Sequence, residues 1–141
     1  MAVYLSDVTL FDGTSVKNKA GVLVEDGVIR WVGAHRRAPK DAANAEGPDV
    51  AGRFVTPGLI DCHVHLCFDG GANFVEEARV SEPYAAVKCV TNGQRQLDAG
   101  ITTVRDLGGL GAVVCEVAKA IDEGRVVGPR VVASGDRKSV V

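Results

Sequence analysis

Two histidines separated by one residue, His63 and His65, follow a short apolar segment, and this pattern limits the possible folds more than any other feature of the sequence. Residues 55–66 read VTPGLIDCHVHL, in which a Pro-Gly pair and an apolar pair are typical of a turn that leads into a buried strand. Side chains alternate along a strand, so His63 and His65 point to the same side as Asp61, whereas Cys62 and Val64 point away. Two neutral imidazoles that converge on one point are half of a divalent-metal site.

The cysteines near these histidines suggest a second interpretation, a structural zinc site made from Cys62, His63, His65 and Cys67. Strand alternation argues against it, because Cys62 should point away from the imidazoles. No Cys-x-x-Cys pair occurs in the sequence, and the surroundings of the cysteines do not resemble a small scaffold held by disulfides. We therefore predict reduced thiols at all four cysteines, which are Cys62, Cys67, Cys89 and Cys115.

The first 56 residues predict a small antiparallel β domain. Apolar and β-branched residues mark strands at 3–5, 8–10, 21–24, 28–32 and 50–55, and residues 35–49 are typical of a solvated connection with a short helix. Between two of these strands stands Asp26-Gly27, a pair that strongly indicates a tight hairpin because Gly tolerates positive φ. The segment therefore predicts a meander or half of a sandwich.

From Pro57 onward, predicted strands and helices alternate, which is the order of a parallel α/β fold. After the histidine strand, a helix is predicted from Ser81 to Gly100, with Pro83 in its first turn. A strand at 101–105, a helix at 112–123 and a strand at 130–134 follow. Asp106 begins the loop that leaves the second of these strands, and Gly124 is the expected cap of the second helix.

The two predicted helices should each bury one face against the sheet. In the first helix, Val87, Val90 and Leu97 form a partial apolar stripe that we expect to pack inward. The second helix has its apolar residues on one side, at Val113, Val114, Val117 and Ile121. The polar segment before the first helix is expected to lie in solvent, including Glu76, Glu77 and Arg79.

Three ordered motifs, PGLIDCHVHL, GITTVRDLGG at 100–109 and GPRVVASG at 128–135, resemble the first three strand segments of the metal-dependent amidohydrolase superfamily, in its imidazolonepropionase-like and Xaa-Pro dipeptidase-like branch. The resemblance implies an α/β fold, a (β/α)8 TIM-type barrel with a small β-sandwich domain beside it. Residues 1–56 would be part of the sandwich and residues 57–141 the first two to three βα units of the barrel. A complete barrel needs roughly 250 residues, so we expect an amino-terminal fragment with an incomplete barrel.

The same resemblance implies metal-dependent hydrolysis of a C–N bond in a dipeptide or small cyclic amide. His63 and His65 would be ligands of a divalent metal, zinc, with one or two ions in the full-length parent. The family takes its remaining ligands and its proton-transferring carboxylate from later strands, so no catalytic residue is expected in this chain, and the chain alone should be inactive. The alternative is a non-catalytic fragment or scaffold-type relative without hydrolase activity.

Two acidic residues near the histidines have more than one interpretation. Asp61 could be a catalytic carboxylate, but a buried acid that orients the metal site by hydrogen bonding is the simpler role. Asp106 could bind the metal directly, although the resemblance only implies that its loop lies near the substrate. Gly108, Gly109 and Gly111 are expected to give backbone flexibility, since their spacing lacks the nucleotide-binding fingerprints.

Charge and hydropathy exclude several classes of partner. The net charge is −2, and Lys and Arg are scattered, so neither nucleic acid nor an anionic membrane is an expected partner. The amino terminus lacks the pattern of a signal peptide, and no apolar run approaches the roughly 18 residues of a transmembrane helix. We therefore predict a cytoplasmic protein whose partner is a small-molecule or dipeptide substrate, and the sequence leaves a homo-oligomer open.

Overall fold

The computed structural model describes residues 1–71 and 73–135, and the chain divides into two compact units, Met1–Pro57 and Gly58–Val141. The first unit contains a four-stranded sheet and the second a three-stranded parallel sheet with helices. None of the helices formed by the described residues combines the length and apolarity that a membrane crossing requires.

The first unit is built on one mixed sheet in the order β3-β2-β1-β4. Its strands are β1 (Ala2–Phe11), β2 (Val16–Glu25), β3 (Val28–Ala34) and β4 (Phe54–Val55). The first three pair in antiparallel fashion, and β4 adds to β1 in parallel. Val8, Leu10, Ala20 and Val22 form its buried core. Two 3-10 helices, His35–Arg37 and Lys40–Asn44, lie in the segment for which a short helix was expected.

The hairpin expected at Asp26-Gly27 is present between β2 and β3, where Glu25 pairs with Val28. Asp26 has φ of 48° and Gly27 of 77°, so both central residues of the turn are left-handed. Such turns match the twist of the flanking strands and favour this residue pair. The hairpin prediction is confirmed.

Besides β2, which begins at Val16 and not at 21 because residues 16–20 pair with β1, strand bounds in this unit differ from the predicted ones at two places. The separate strands expected at 3–5 and 8–10 are one strand, β1, with an irregular register between Leu5 and Val8, where Asp7 has φ of 50°. The strand expected at 50–55 shrinks to β4 because a turn precedes it, in which the Arg53 N–H donates to the carbonyl of Val50 at 2.9 Å. Pairing across the sheet and turn formation decided both differences.

The second unit is a three-stranded parallel sheet in the order β5-β6-β7, with helices packed on one of its faces. Its elements are β5 (Leu59–Val64), α1 (Phe74–Glu77), α2 (Glu82–Asp98), β6 (Ile101–Asp106), α3 (Val113–Asp122) and β7 (Arg130–Ala133). Except for the short α1, which was not predicted, the helices and strands agree with the predicted ones to within about two residues at each end. Across residues 58–71 and 73–135 the strands form an open sheet and not a closed barrel.

Helix α2 begins after Ser81 with Pro83 in its first turn, as predicted, but the predicted apolar stripe is only partly confirmed, because Val90 packs against the core and Val87 does not. Val87 is 61 % exposed. The buried face instead consists of small and polar residues, namely Ala85, Lys88, Cys89, Asn92 and Gly93. The reason is that Lys88 and Asn92 find charged and carbonyl partners inside the unit, so polar side chains can face inward.

Helix α3 buries the side that its sequence predicts. Val113, Val114 and Val117 are buried, and Ile121 packs against the same core. The helix is followed by Gly124, which has φ of 68° and donates its N–H to the carbonyl of Ile121 at 2.9 Å. Such a left-handed glycine is a common end of a helix.

Candidate metal centre

The two histidines of the His-x-His motif lie at the carboxyl end of β5 and share one side of the strand. The ring centroids of His63 and His65 are 5.4 Å apart and their planes are inclined by 73°. Both residues are exposed, whereas Val64 between them is buried in the core. The alternation expected from the sequence is therefore present, and it brings two imidazoles together outside the core.

His65 is held by a backbone carbonyl from the neighbouring strand's exit loop. Its Nδ1 lies 2.6 Å from the carbonyl oxygen of Gly108. A carbonyl can only accept, so Nδ1 carries a proton, and in the neutral ring the lone pair is on Nε2. In metal proteins this same contact fixes the tautomer and the direction of a ligating imidazole. The loop after β6 thus restrains the His65 ring through Nδ1.

The Gly108 loop is itself fixed by Asp106, whose carboxylate is fully buried. One carboxylate oxygen accepts the N–H of Leu66 at 2.7 Å, and the other accepts the N–H of Gly108 at 2.8 Å. Asp106 therefore connects the residue after His65 to the residue whose carbonyl holds His65. This arrangement favours a positioning role for Asp106 over the direct metal ligation that the sequence had left open.

Asp61 supports the histidine strand through its backbone. It is half-buried, and its Oδ1 accepts the N–H of His63 at 3.0 Å. The sequence led us to expect a fully buried acid below the metal site, and the observed carboxylate is closer to solvent than that. Its contact restrains the backbone of His63, which agrees with an orienting role.

The loop that follows His65 is tied to α2 by Asn92, a buried polar residue that the sequence analysis had not singled out. The Asn92 side-chain amide donates to the carbonyls of Leu66 at 3.0 Å and Phe68 at 3.1 Å, and to Oδ1 of Asp69 at 3.1 Å. One side chain thus binds three acceptors within residues 66–69. An Asn within a helical stripe of small residues could have indicated this role.

Lys88 extends this polar cluster with two acidic partners. Its Nζ lies 3.0 Å from Asp69 and 3.6 Å from Glu77. The prediction that Glu77 lies in solvent is wrong, because its carboxylate also accepts the N–H groups of Asp69 and Gly71, each at 2.6 Å. The hydrogen bond from Lys88, with a further one from Asn92, holds the pKa of Asp69 below its usual value. Burial lowers the pKa of Lys88, but its two acidic partners raise it overall.

All four cysteines are free thiols, in agreement with the expected reduced state. Two of them meet in the core, where the Sγ atoms of Cys67 and Cys89 are 3.3 Å apart. The hydrogen bond from Cys89 lowers the pKa of Cys67 to about 7, and the same bond with burial raises the pKa of Cys89. A Cβ on Gly109 would lie 2.7 Å from the Cys67 sulfur. Close packing, and not the flexibility we had expected, therefore explains the glycine at 109.

A cleft of about 480 Å³ opens beside the histidines. Asp61, His63 and His65 line one side of it, and Asn92 and Arg95 from α2 line another. Among the described residues, no group of three or more His, Cys, Asp or Glu side chains is placed to hold a metal ion. As a donor set, two imidazoles would fit half of a metal site and leave positions for other ligands, and metal binding by His63 and His65 stays a prediction.

The remaining histidine and a nearby arginine have different surroundings. His35 lies in the first unit, where its Nδ1 is 2.9 Å from the hydroxyl of Tyr4. Arg105, on β6, donates from Nε to the carbonyl of Cys62 at 2.8 Å. It links the two strands on the exposed side of the sheet, beside His63.

The chain matches one family model and is similar in sequence to several known hydrolases. Residues 54–138 match the model of the Amidohydrolase family. Ochratoxinase of Aspergillus niger is 34 % identical over 128 residues, which cover 88 % of this chain and 25 % of the relative. Imidazolonepropionase of Cereibacter sphaeroides is 40 % identical over 86 residues, covering 60 % of this chain and 21 % of the relative.

Solved structures agree with these sequence matches. The crystal structure of a prolidase complexed with N-methylphosphonate-L-proline superposes with a TM-score of 0.79 at 31 % identity. The match covers 96 % of this chain and 32 % of the prolidase chain. The chain therefore spans about a fifth to a third of the length of these relatives.

Proposed function

The chain belongs to the amidohydrolase family, and from this premise we propose that His63 and His65 hold a divalent metal, zinc, in a hydrolase that cleaves a C–N bond of a dipeptide or small cyclic amide. The family consists of hydrolases that act on C–N bonds and is typically metal-dependent. The metal, the whole protein's activity and its substrate are parts of this proposal.

The fold supports this placement of the site. In a (β/α)8 barrel the active site lies at the carboxyl ends of the parallel strands. His63, His65 and Asp106 all lie at the carboxyl ends of β5 and β6. We propose that the parallel sheet is the beginning of such a barrel, and that the first unit contributes to a small β-sandwich domain. The further ligands would then come from strands that the relatives carry beyond the matched region.

The observation that carries the proposal is the hydrogen bond from His65 to Gly108. It places a proton on Nδ1, so that in the neutral ring the lone pair a metal ligand needs is on Nε2. When bound, a divalent metal supplies a nucleophilic hydroxide near neutral pH and polarises a carbonyl group. The chain's own residues orient the two histidines: Asp61 restrains the backbone of His63, while Asp106 and Gly108 keep His65 in one tautomer.

The substrate class is proposed from what the relatives share. The prolidase structure contains a phosphonate analogue attached to proline, and the other relatives are named ochratoxinase and imidazolonepropionase. A dipeptide with a C-terminal proline-like residue is our first candidate substrate, and opening of a small cyclic amide is the second. A non-catalytic role is the alternative, and zinc binding by the two histidines would argue against it.

The test is zinc affinity measured by competition with a chromophoric chelator. We compare the unaltered chain with His63→Ala and His65→Ala. The control is Cys62→Ala, because Cys62 is exposed and precedes His63 in the chain. Each histidine variant should lose zinc binding, while Cys62→Ala should keep it. Equal zinc affinity in all four proteins would contradict the proposed site. Hydrolysis of a panel of Xaa-Pro dipeptides and cyclic amides by a protein extended to the length of its relatives then separates the two substrate classes.

A further inference from the structure

Two cysteines next to the proposed metal centre are already placed for a covalent bond. Cys67 follows His65 closely in the chain, and Cys89 lies on the buried face of α2. Their Sγ atoms are 3.3 Å apart, and both residues are 0 % exposed. A disulfide has an S–S length of about 2.0 Å, so the two sulfurs need to approach each other by only about 1.3 Å.

We propose that Cys67 and Cys89 are a reversible redox pair. Hydroperoxides oxidise the two thiols to a disulfide with each other, and this bond loosens the support of His65. The formation of the bond stands on the geometry of the two thiols alone. Its effect on His65 as a metal ligand rests on the proposed function. These two parts can therefore fail separately.

The surroundings of the pair select a small oxidant. Gly109 packs so closely on Cys67 that even a methyl group at that position would collide with the sulfur. Full burial excludes bulky disulfides such as oxidised glutathione, whereas hydrogen peroxide is little larger than water and can enter during local opening of the unit. Cys62, which is exposed, has no such protection and should react with larger reagents.

The reaction balances with hydrogen peroxide as the oxidant. The Cys67 sulfur attacks one peroxide oxygen, the O–O bond breaks, and a sulfenic acid forms while water leaves with the thiol proton. The Cys89 sulfur then attacks the Cys67 sulfur, the S–O bond breaks, and a second water leaves with the Cys89 proton. Two thiols are oxidised to one disulfide, and one peroxide is reduced to two waters.

The new bond acts on the histidine through the Gly108 loop. The Cys67 sulfur packs against Gly109 so closely that a Cβ there would lie 2.7 Å from it. Gly109 follows Gly108, whose carbonyl holds Nδ1 of His65. Movement of the sulfur towards Cys89 therefore changes the packing under this loop, and the hydrogen bond that fixes the tautomer of His65 is weakened.

The first experiment detects the bond in the whole chain carrying Cys62→Ser and Cys115→Ser, with the unaltered chain run in parallel. After hydrogen peroxide, we expect a mass loss of two hydrogens, a Cys67–Cys89 cross-linked peptide and full reversal by dithiothreitol. Adding Cys89→Ser should abolish the cross-link and leave an oxygen adduct on Cys67. If the unaltered chain and the variant with Cys62→Ser and Cys115→Ser both yield only oxygen adducts or intact thiols at Cys67 and Cys89, the redox pair is overturned.

The second experiment reads His65 without any metal. Long-range ¹H–¹⁵N correlation spectra should show the Nδ1–H tautomer of His65 in the reduced chain and its loss in the oxidised chain. An unchanged tautomer after complete cross-linking would overturn the link to His65. Zinc competition adds the last comparison: oxidation should weaken zinc binding by about tenfold. Zinc binding by the reduced chain that His63→Ala and His65→Ala leave unchanged would refute the proposed function while leaving the disulfide result intact.

Discussion

The carboxylate of Asp106 accepts the backbone N–H of Leu66 at 2.7 Å, although the two residues are 40 positions apart in the chain. Its other oxygen accepts the N–H of Gly108, whose carbonyl holds His65. One buried side chain thus sets the distance between the histidine and the carbonyl that orients it. This bridge between the ends of β5 and β6 is the part of the site that responds most directly to mutation.

Asp106→Asn should destabilise the chain and weaken zinc binding. An amide has one acceptor oxygen, so one of the two backbone N–H groups would lose its partner, at a cost of about 1–3 kcal/mol in the free energy of unfolding. We expect zinc affinity to fall by about 10-fold or more. Urea unfolding and zinc competition measure the two effects. Asp98→Asn, at an exposed position at the end of α2, is the control and should change neither by much; an Asp106→Asn chain that matches it would contradict the bridging role.

Asn92→Leu tests the link between α2 and the loop after His65. The substitution keeps a side chain of similar size but leaves the carbonyls of Leu66 and Phe68 without the amide that serves them. Each lost hydrogen bond in a buried position costs about 1–3 kcal/mol. The control is Gln94→Leu, at an exposed position of the same helix, and this substitution should be nearly neutral. Equal unfolding midpoints in urea for the two variants would show that Asn92 is not the anchor.

The ion pair of Lys88 and Asp69 predicts how stability depends on pH. The folded pKa of Asp69 is depressed, so its contribution is present above its unfolded pKa, near 3.9, and disappears as the pH falls through the lower folded value. The folded pKa of Lys88 is raised, so its contribution is complete below about 10.4 and disappears as the pH rises through the folded value. The pair therefore stabilises the fold across the neutral range.

Asp69→Asn should accordingly lower the unfolding midpoint in urea at pH 7 and lose this difference at strongly acidic pH. Asp98→Asn, which removes the same charge without a lysine partner in the cluster, provides the comparison. A constant difference between Asp69→Asn and the unaltered chain from pH 7 to pH 2 would mean that the ion pair is not its cause.

Gly27→Val isolates the backbone requirement of the hairpin. Nothing lies within 4 Å of a Cβ placed at Gly27, so crowding is not involved, and the penalty comes from its φ of 77°. A β-branched residue there should lower the free energy of unfolding by roughly 1 kcal/mol or more. Gly27→Asn should cost less, because Asn tolerates the left-handed region. If the two variants unfold alike, the conformation at 27 is not what limits the residue.

The sequence alone determined the features that depend on neighbours along the chain. Alternation along a strand put His63 and His65 on one side, the Asp26-Gly27 pair specified a left-handed turn, and Ser81 with Pro83 marked the start of α2. These are properties of local backbone geometry, so a short stretch of residues contains the information. The family resemblance came from the same short motifs, and the comparisons confirm it.

Only the tertiary structure decided which polar groups are buried and what they contact. Lys88 and Asn92 are buried beside Val90 of the expected apolar stripe of α2, because their partners, Asp69 and the carbonyls after His65, come from another part of the sequence. Gly108 holds His65 across 43 positions for the same reason. A buried polar group is stable only when a hydrogen-bond partner meets it, and folding alone brings such distant groups together.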